Sequence, residues 1–364
     1  MLLYVLYIST FELIDLREYF GHKNEIDHLN FAGVIDAGSS GTRLNIYGFN
    51  ELKMIEVYYV DSIEPGMSAL LKHEIKEQLD NLVTSATKNL KDFINDFKKL
   101  PIAYEATAGL RLIPDKESLM ILKQVKKFFK DYNLKDNKII TGAKEGILGL
   151  RSLLLQKKME HFIIKKFGCD ALKHIVSENY CKEIYRHLSH NHSYGIIDMG
   201  GGSVEVAYLK KDSNELLSQS FLGFGVNESL REIKSHPSFL SCKMSDISSS
   251  TCKKVFESLF YKAPTINLTN ELKDMNEIFL VSFIYDRLFY NNNFKKSIKE
   301  LEGMFKEKCD SLEEDTCVEM YFLIILLKYF KFKEDTKFFM VSKIFGITVN
   351  WTIAKAYDLL FKNN

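Results

Sequence analysis

Aspartate, glycine and hydroxyl residues cluster twice along this chain, as Asp36-Ala-Gly-Ser-Ser-Gly-Thr-Arg43 and as Asp198-Met-Gly-Gly-Gly-Ser-Val-Glu205. Glycine and serine at consecutive turn positions let backbone amides converge on one spot with no side chain in the way. Such a nest suits phosphate oxygens, and the hydroxyls of Ser39, Ser40, Thr42 and Ser203 add donors. An aspartate at the strand end beside each nest can hold the hydrated divalent cation that accompanies nucleotide phosphates. Hydrolysis of a phosphate also needs a base to activate water. Glu145, in Thr141-Gly-Ala-Lys-Glu-Gly146, is the candidate. A glutamate is equally what a helix N-terminus favours, and spacing alone leaves both readings open.

These residues need strands to carry them. Residues 31–35 are apolar strand formers running into the first turn, residues 43–49 leave it, and residues 54–60 suit a third strand. The same unit recurs: residues 194–197 lead into the second turn, Val204, Val206 and Tyr208 alternate after it, and residues 216–221 suit a third strand. A repeated strand–turn–strand–strand unit implies two similarly built halves. After the first unit, Pro65-Gly66 marks a turn and Ser68 can cap a helix. In that helix apolar residues from Leu71 through Leu79, Leu90 and Phe97 keep helical spacing until Pro101 stops it.

Composition bounds the rest. The chain has 364 residues, 46% hydrophobic and 27% charged, enough for two domains of ordinary globular make-up. Its 49 basic and 48 acidic residues nearly cancel, which gives no footprint for nucleic acid. The densest basic cluster, Lys123, Lys126, Lys127 and Lys130, reads as the wet face of a helix. The amino-terminal run of residues 1–8 is apolar without a basic flank, and Glu12 and Asp15 follow it. It reads as a weak signal-peptide core or as an element packed on the mature protein. No stretch approaches a membrane span; even residues 320–332 are too short and carry Lys328. The six cysteines, at 169, 181, 242, 252, 309 and 317, show no zinc-ligand spacing and fall into three close pairs. Disulfides in an oxidising compartment and free thiols in a cytosolic enzyme are the alternatives, and sequons at Asn191, Asn227, Asn267 and Asn350 favour the first.

Five segments, in order, resemble the signature regions of the apyrase family, the ecto-nucleoside triphosphate diphosphohydrolases and nucleoside diphosphatases. They are the turn at Asp36, Ala106-Thr-Ala-Gly-Leu-Arg-Leu-Ile-Pro114, Lys144-Glu-Gly-Ile-Leu-Gly149, the turn at Asp198, and a diverged Val349-Asn-Trp-Thr352. The Ser282-Phe-Ile-Tyr-Asp-Arg287 and 317–327 segments also fit. The resemblance implies an α/β, actin-like, duplicated ribonuclease-H-type fold, with two domains and the active site in the cleft between them. It divides the chain into a signal or anchor segment at 1–28, a first domain at 29–165 and a second at 166–350. The C-terminal helix, 351–364, would complete the first.

The resemblance further implies direct attack of water on the terminal phosphate, with Glu145 as base and Ser203 holding the water. Asp36 and Asp198 would fix the water shell of Ca2+ or Mg2+. Ser39, Ser40, Gly41, Thr42, Arg43, Thr107, Gly200, Gly201, Gly202, Ser203 and Val204 would grip phosphate, and Tyr285 would stack on the base. Pro65-Gly-Met-Ser68 and Tyr285-Asp-Arg287 look most like the soluble diphosphatase branch, which favours UDP and GDP in the secretory pathway or outside the cell. In that branch Cys309–Cys317 is the first expected disulfide, followed by Cys242–Cys252 and then Cys169–Cys181. The sequence departs from the family at Glu205, where glutamine is usual, and at Ile353-Ala-Lys355, where small residues are usual. Glu205 could act in catalysis as a metal contact or second base. Alternatives are an exopolyphosphatase-like enzyme, an actin- or chaperone-like nucleotide-gated protein, and a catalytically impaired nucleotide binder. Asn350, beside Trp351, makes a doubtful glycosylation site.

Overall fold

The computed structural model describes residues 9–17, 28–171, 181, 193–210, 215–239, 242, 249–262, 270–273, 275, 277–288 and 295–362. Residues 1–8 and 18–27 of the amino-terminal segment, and the sequons at Asn191 and Asn267, lie outside them. The chain forms two compact units, residues 1–190 with 343–364 and residues 191–342.

The first unit is a six-stranded sheet: β1 (Ser9–Asp15), β2 (Asn30–Ala37), β3 (Thr42–Phe49), β4 (Ile55–Ile63), β5 (Ile102–Ala106) and β6 (Leu134–Ile139). Their order is β1-β4-β3-β2-β5-β6. β2, β3 and β4 are the antiparallel meander expected from the sequence, and β2, β5 and β6 run parallel. β1, which follows the apolar run 1–8 and lies within the stretch expected as a signal or anchor segment, pairs with β4 along its length. Helices α1 (Lys72–Asn89), α2 (Ala108–Arg111), α3 (Asp115–Phe128) and α4 (Gly142–Ala171) follow. Alternation along the strands buries Ile35, Ala37, Leu44, Ile46, Tyr104 and Ala106 in one core with Ile75, Leu79 and Leu82 of α1 and Val125 of α3. The lysines at 123, 126 and 127 face solvent from α3, as their helical spacing predicts.

The helix after Pro65 is shorter than its apolar pattern. Ser68 sits in a separate 3-10 turn, and α1 begins after Leu71, whose amide donates to Glu74 Oε2 at 2.7 Å. The helix ends at Asn89; Asp96 then caps a new turn by accepting from the Lys98 amide at 3.1 Å. Short carboxylate side chains compete with the helix for backbone amides, which breaks the run before Phe97.

The second unit repeats the plan: β7 (Tyr194–Met199), β8 (Ser203–Leu209), β9 (Leu216–Leu222), β10 (Glu277–Ser282), β11 (Lys295–Ser297) and β12 (Lys337–Met340), in the order β11-β12-β10-β7-β8-β9. Its helices include α5 (Val226–Ser235), α6 (Ser250–Ser258), α7 (Phe283–Leu288), α8 (Ile298–Lys308) and α9 (Glu314–Tyr329). Residues 317–327 of α9 are all buried in the core of this unit. That explains a helix apolar all round, and no helix among the described residues is long and apolar enough to cross a membrane. All three sequence-neighbour cysteine pairs are disulfides: Cys169–Cys181, Cys242–Cys252 and Cys309–Cys317.

From Lys343 the chain returns to the first unit through the hairpin β13 (Lys343–Ile344) and β14 (Ile347–Thr348), then α10 (Thr352–Phe361). α10 covers the sheet face opposite α1, where Tyr47 Oη shares a hydrogen bond of 2.7 Å with Thr352 Oγ1. Asn350 accepts from the Thr352 amide at 3.0 Å and donates to Asn45 at 3.4 Å, so its side chain is taken up inside the fold. The other described sequon residue, Asn227, is exposed on α5.

A bidentate bridge fastens α10 to α4: Arg151 Nη1 and Nη2 donate to Asp358 at 2.7 and 2.6 Å. Burial would raise the Asp358 carboxyl, but Arg151 and Lys362 outweigh it and hold it below its usual value. A carboxyl depressed in the folded state stabilises above its unfolded pKa, about 3.9, and loses that contribution as pH falls through the folded value. Arg151→Met should therefore cost about 2 kcal/mol at pH 7. The deficit, measured by denaturant unfolding, should shrink below about pH 4.

Candidate active site

Each glycine-rich turn is a tight hairpin with the same internal bond. Gly38 donates to the Gly41 carbonyl at 3.0 Å, and Gly200 to the Ser203 carbonyl at 3.0 Å. In the first unit Asp36 pairs with Arg43 across the hairpin, and in the second Asp198 pairs with Glu205. The repeat seen in the sequence is thus a repeat of register.

Backbone packs directly behind both turns. A Cβ on Gly66 would stand 2.5 Å from the Gly38 carbonyl oxygen, and one on Gly109 would stand 2.9 Å from it. The Thr107 amide donates to the Ala37 carbonyl at 3.2 Å, which ties the Ala106-Thr-Ala-Gly109 segment to the first turn. In the second unit a Cβ on Gly225 would fall 2.3 Å from the Gly202 nitrogen. Here the first amides of α5 hold the turn: Val226 donates to Gly200 at 3.0 Å, and Asn227 and Glu228 donate to Gly201 at 3.0 and 3.2 Å. Gly66 follows β4 and Gly225 follows β9, the last strand of the antiparallel meander in each unit, so close approach by backbone is built into both halves.

Asp36, Ser39, Ser40 and Arg43 are half-buried, while Gly41, Thr42 and Thr107 are buried. The Arg43 guanidinium folds back over its own turn, 3.4 Å from where a Gly38 Cβ would lie. In the second unit Asp198 and Gly200 are half-buried, and Gly201, Gly202, Ser203 and Val204 are buried. Glu205 is 2% exposed and accepts from Ser220 Oγ at 2.9 Å, which gives this departure from the family a defined partner on β9. Tyr285 lies on α7, half-buried against the core of the second unit. Beside it Arg287 ion-pairs with Glu319 of α9.

Glu145 occupies the first turn of α4, where Thr141 Oγ1 accepts from the Lys144 amide at 3.2 Å. Its Oε2 accepts from Arg111 Nη2 at 2.7 Å, with both side chains 13% exposed. Arg111 was not among the candidates read from the sequence. Its only signal was its place in the segment that follows Thr107-Ala-Gly109.

Asp36 and Asp198 each place a carboxylate near a strand end beside a turn, and oxygen donors of this kind suit hard divalent cations. Among the described residues no group of three or more His, Cys, Asp or Glu side chains could hold a metal ion directly.

Residues 22–218 match the GDA1/CD39 (nucleoside phosphatase) family, a span that contains both turns, Thr107, Arg111 and Glu145. The human nucleoside diphosphate phosphatase ENTPD5 is 23% identical over 399 residues, covering 90% of this chain and 86% of that protein. The PPX-GPPA enzyme of Aquifex aeolicus is similar in structure, with a TM-score of 0.56 at 14% identity over 90% of this chain and 99% of that one. A nucleoside triphosphate hydrolase of Neospora caninum gives a TM-score of 0.54 at 10% identity over 98% and 93%. These likenesses agree with the duplicated, actin-like α/β fold expected from the sequence.

Gly225→Ala should force the second turn off the α5 N-terminus at a cost of about 3 kcal/mol. Gly303→Ala, where an added Cβ meets nothing within 4 Å, is the control and should be neutral or stabilising. Thermal unfolding of the two variants checks this; equal melting temperatures would mean that the turn is not held by close backbone approach.

Proposed function

The chain belongs to the GDA1/CD39 (nucleoside phosphatase) family, and on that footing we propose that it hydrolyses the terminal phosphate of nucleoside diphosphates, UDP and GDP foremost. One observation carries the reading: the family match spans both glycine-rich turns and the ion-paired Glu145. The name of the human relative, a nucleoside diphosphate phosphatase, supports the diphosphate preference.

The two turns and Thr107 grip phosphate oxygens through amides and hydroxyls, and Arg43 adds a guanidinium fork suited to phosphate. Asp36 and Asp198 hold the water shell of a divalent cation, Ca2+ or Mg2+, which when bound neutralises phosphate charge. Glu145 takes the proton of the attacking water, and Arg111, bonded to its Oε2, fixes the carboxylate in one orientation. Ser203 orients that water. Glu205, held by Ser220, supplies a second carboxylate beside Asp198. Tyr285 offers an aromatic face to the base. Three disulfides fit an oxidising environment, and we place the enzyme in the secretory lumen or outside the cell.

Phosphate release should be measured from UDP, GDP, ADP, ATP and polyphosphate, with Ca2+, Mg2+ or chelator. Diphosphates should turn over fastest, and chelator should abolish the activity. Glu145→Gln should lower kcat by about 100-fold or more with the fold intact. Turnover of polyphosphate without any nucleotide, or full activity in Glu145→Gln, would overturn the reading.

A further inference from the structure

A second carboxylate lies beside Asp36 on the same face of the first sheet. Ile35, Ala37, Tyr104 and Ala106 all belong to the core under α1 and α3. Asp36 and Glu105, which alternate with them, therefore face the other side, under α10. The parallel register pairs Asp36 with Glu105, and neighbouring strands lie about 4.8 Å apart. Glu105 is 1% exposed, so water does little to screen it from Asp36. Like charges side by side on adjacent strands are unfavourable.

Asp36 has Arg43 across from it on β3, and Glu105 draws its nearest positive charge from the opposite end of the chain. Lys355 of α10, itself 8% exposed, brings its Nζ to 2.8 Å from Glu105 Oε1 and also pairs with Asp136 of β6. Lys138, the in-register neighbour of Glu105 on β6, lies 3.4 Å from Glu105 and 3.1 Å from Asp136. Arg43 of β3, across from Asp36, shares this face, and further out lie Lys144 and Arg151 of α4, Asp358 of α10 and Lys362. Lys355 is the lysine that stands where the apyrase resemblance leads one to expect a small residue.

Anchoring α10 does not account for the pair. Arg151–Asp358, Tyr47–Thr352 and the bond from the Ala354 amide to Ser152 Oγ at 2.9 Å already fasten that helix. An ion pair this deeply buried is weak as a source of stability, because both charges lose their hydration. What it changes is the field at its neighbour, and its neighbour is Asp36.

We propose that Lys355 and Glu105 are positioning residues that set the charge felt at Asp36, and through it the affinity of the first turn for its divalent cation. The inference rests on the reading of Asp36 as a holder of the cation's water shell. Removing the Glu105 charge leaves Lys355 and Lys138 undercompensated and weakens cation binding. Removing the Lys355 charge strengthens it.

The test follows Ca2+ binding to the full chain without nucleotide, as the rise in melting temperature with Ca2+ concentration. Glu105→Gln, an isosteric change, should weaken binding at least fivefold, and Lys355→Met should tighten it by a similar factor. The double variant should return to within twofold of the unaltered protein. A purely structural pair would instead shift the starting melting temperature and leave the Ca2+ midpoint in place. Unchanged midpoints, shifts in the same direction or no recovery in the double variant would overturn the proposal. If Lys355→Met does not fold, the shift in Glu105→Gln alone decides, with Lys355→Arg expected to keep the original midpoint. Asp36→Asn separates the two levels: undiminished Ca2+ binding there would remove the parent reading. Lost binding there, with silent charge variants, would remove only this inference.

Discussion

Both turns depend on backbone meeting backbone with no side chain between. At Gly66 and Gly225 the nearest backbone atoms stand where a Cβ would have to be, 2.5 and 2.3 Å away. That distance is below any contact a Cβ can make, so only glycine allows the approach. Its consequence is rigidity. A turn that offers amides to an anion gains from being fixed before the anion arrives, because no reorganisation is then needed on binding. In the first unit the support comes from Gly66 and the Thr107–Gly109 segment. In the second it comes from the amides opening α5.

What could be read from the sequence follows from how local its cause is. The hairpins at Asp36 and Asp198 were legible because strand alternation and glycine-rich turns are written within a few residues of each other. The cysteine pairs were legible because each closes a short loop. β1 was not, since it pairs with β4, some fifty residues on, and nothing near Ser9 announces that pairing. The end of α1 was misread because apolar spacing continues past Asn89 while Asp96 starts a competing turn. Gly66 read as a turn residue, whereas its role is close approach to Gly38, a tertiary fact. Arg111 escaped notice because its target, Glu145, lies on another helix. Lys355 stood out as a departure, but its reason, Glu105, lies on a distant strand.

The return of the chain to its first unit ties these features together. β13, β14 and α10 cover the sheet face that Asp36, Arg43, Asn45 and Glu105 share. That face is polar for a buried surface, and several of its groups find partners in the C-terminal segment. Tyr47 meets Thr352, Asn45 meets Asn350, and Glu105 meets Lys355. A sheet face of this kind could not be left against an apolar helix without unpaired polar groups. The composition of α10 is therefore constrained by the strands that carry the first turn.

The two halves share geometry and differ in charge. Arg43 and Glu205 stand at the same place in the duplicated hairpin, each directly across from the aspartate that ends the preceding strand. Duplication alone would make the halves equivalent, so the difference lies in side chains laid on a common backbone. The first hairpin sets a guanidinium, folded back over its turn, across from its aspartate. The second sets a carboxylate, which accepts from Ser220, across from its own. The change of charge is confined to one position of the repeat, while the backbone that fixes the two turns stays the same.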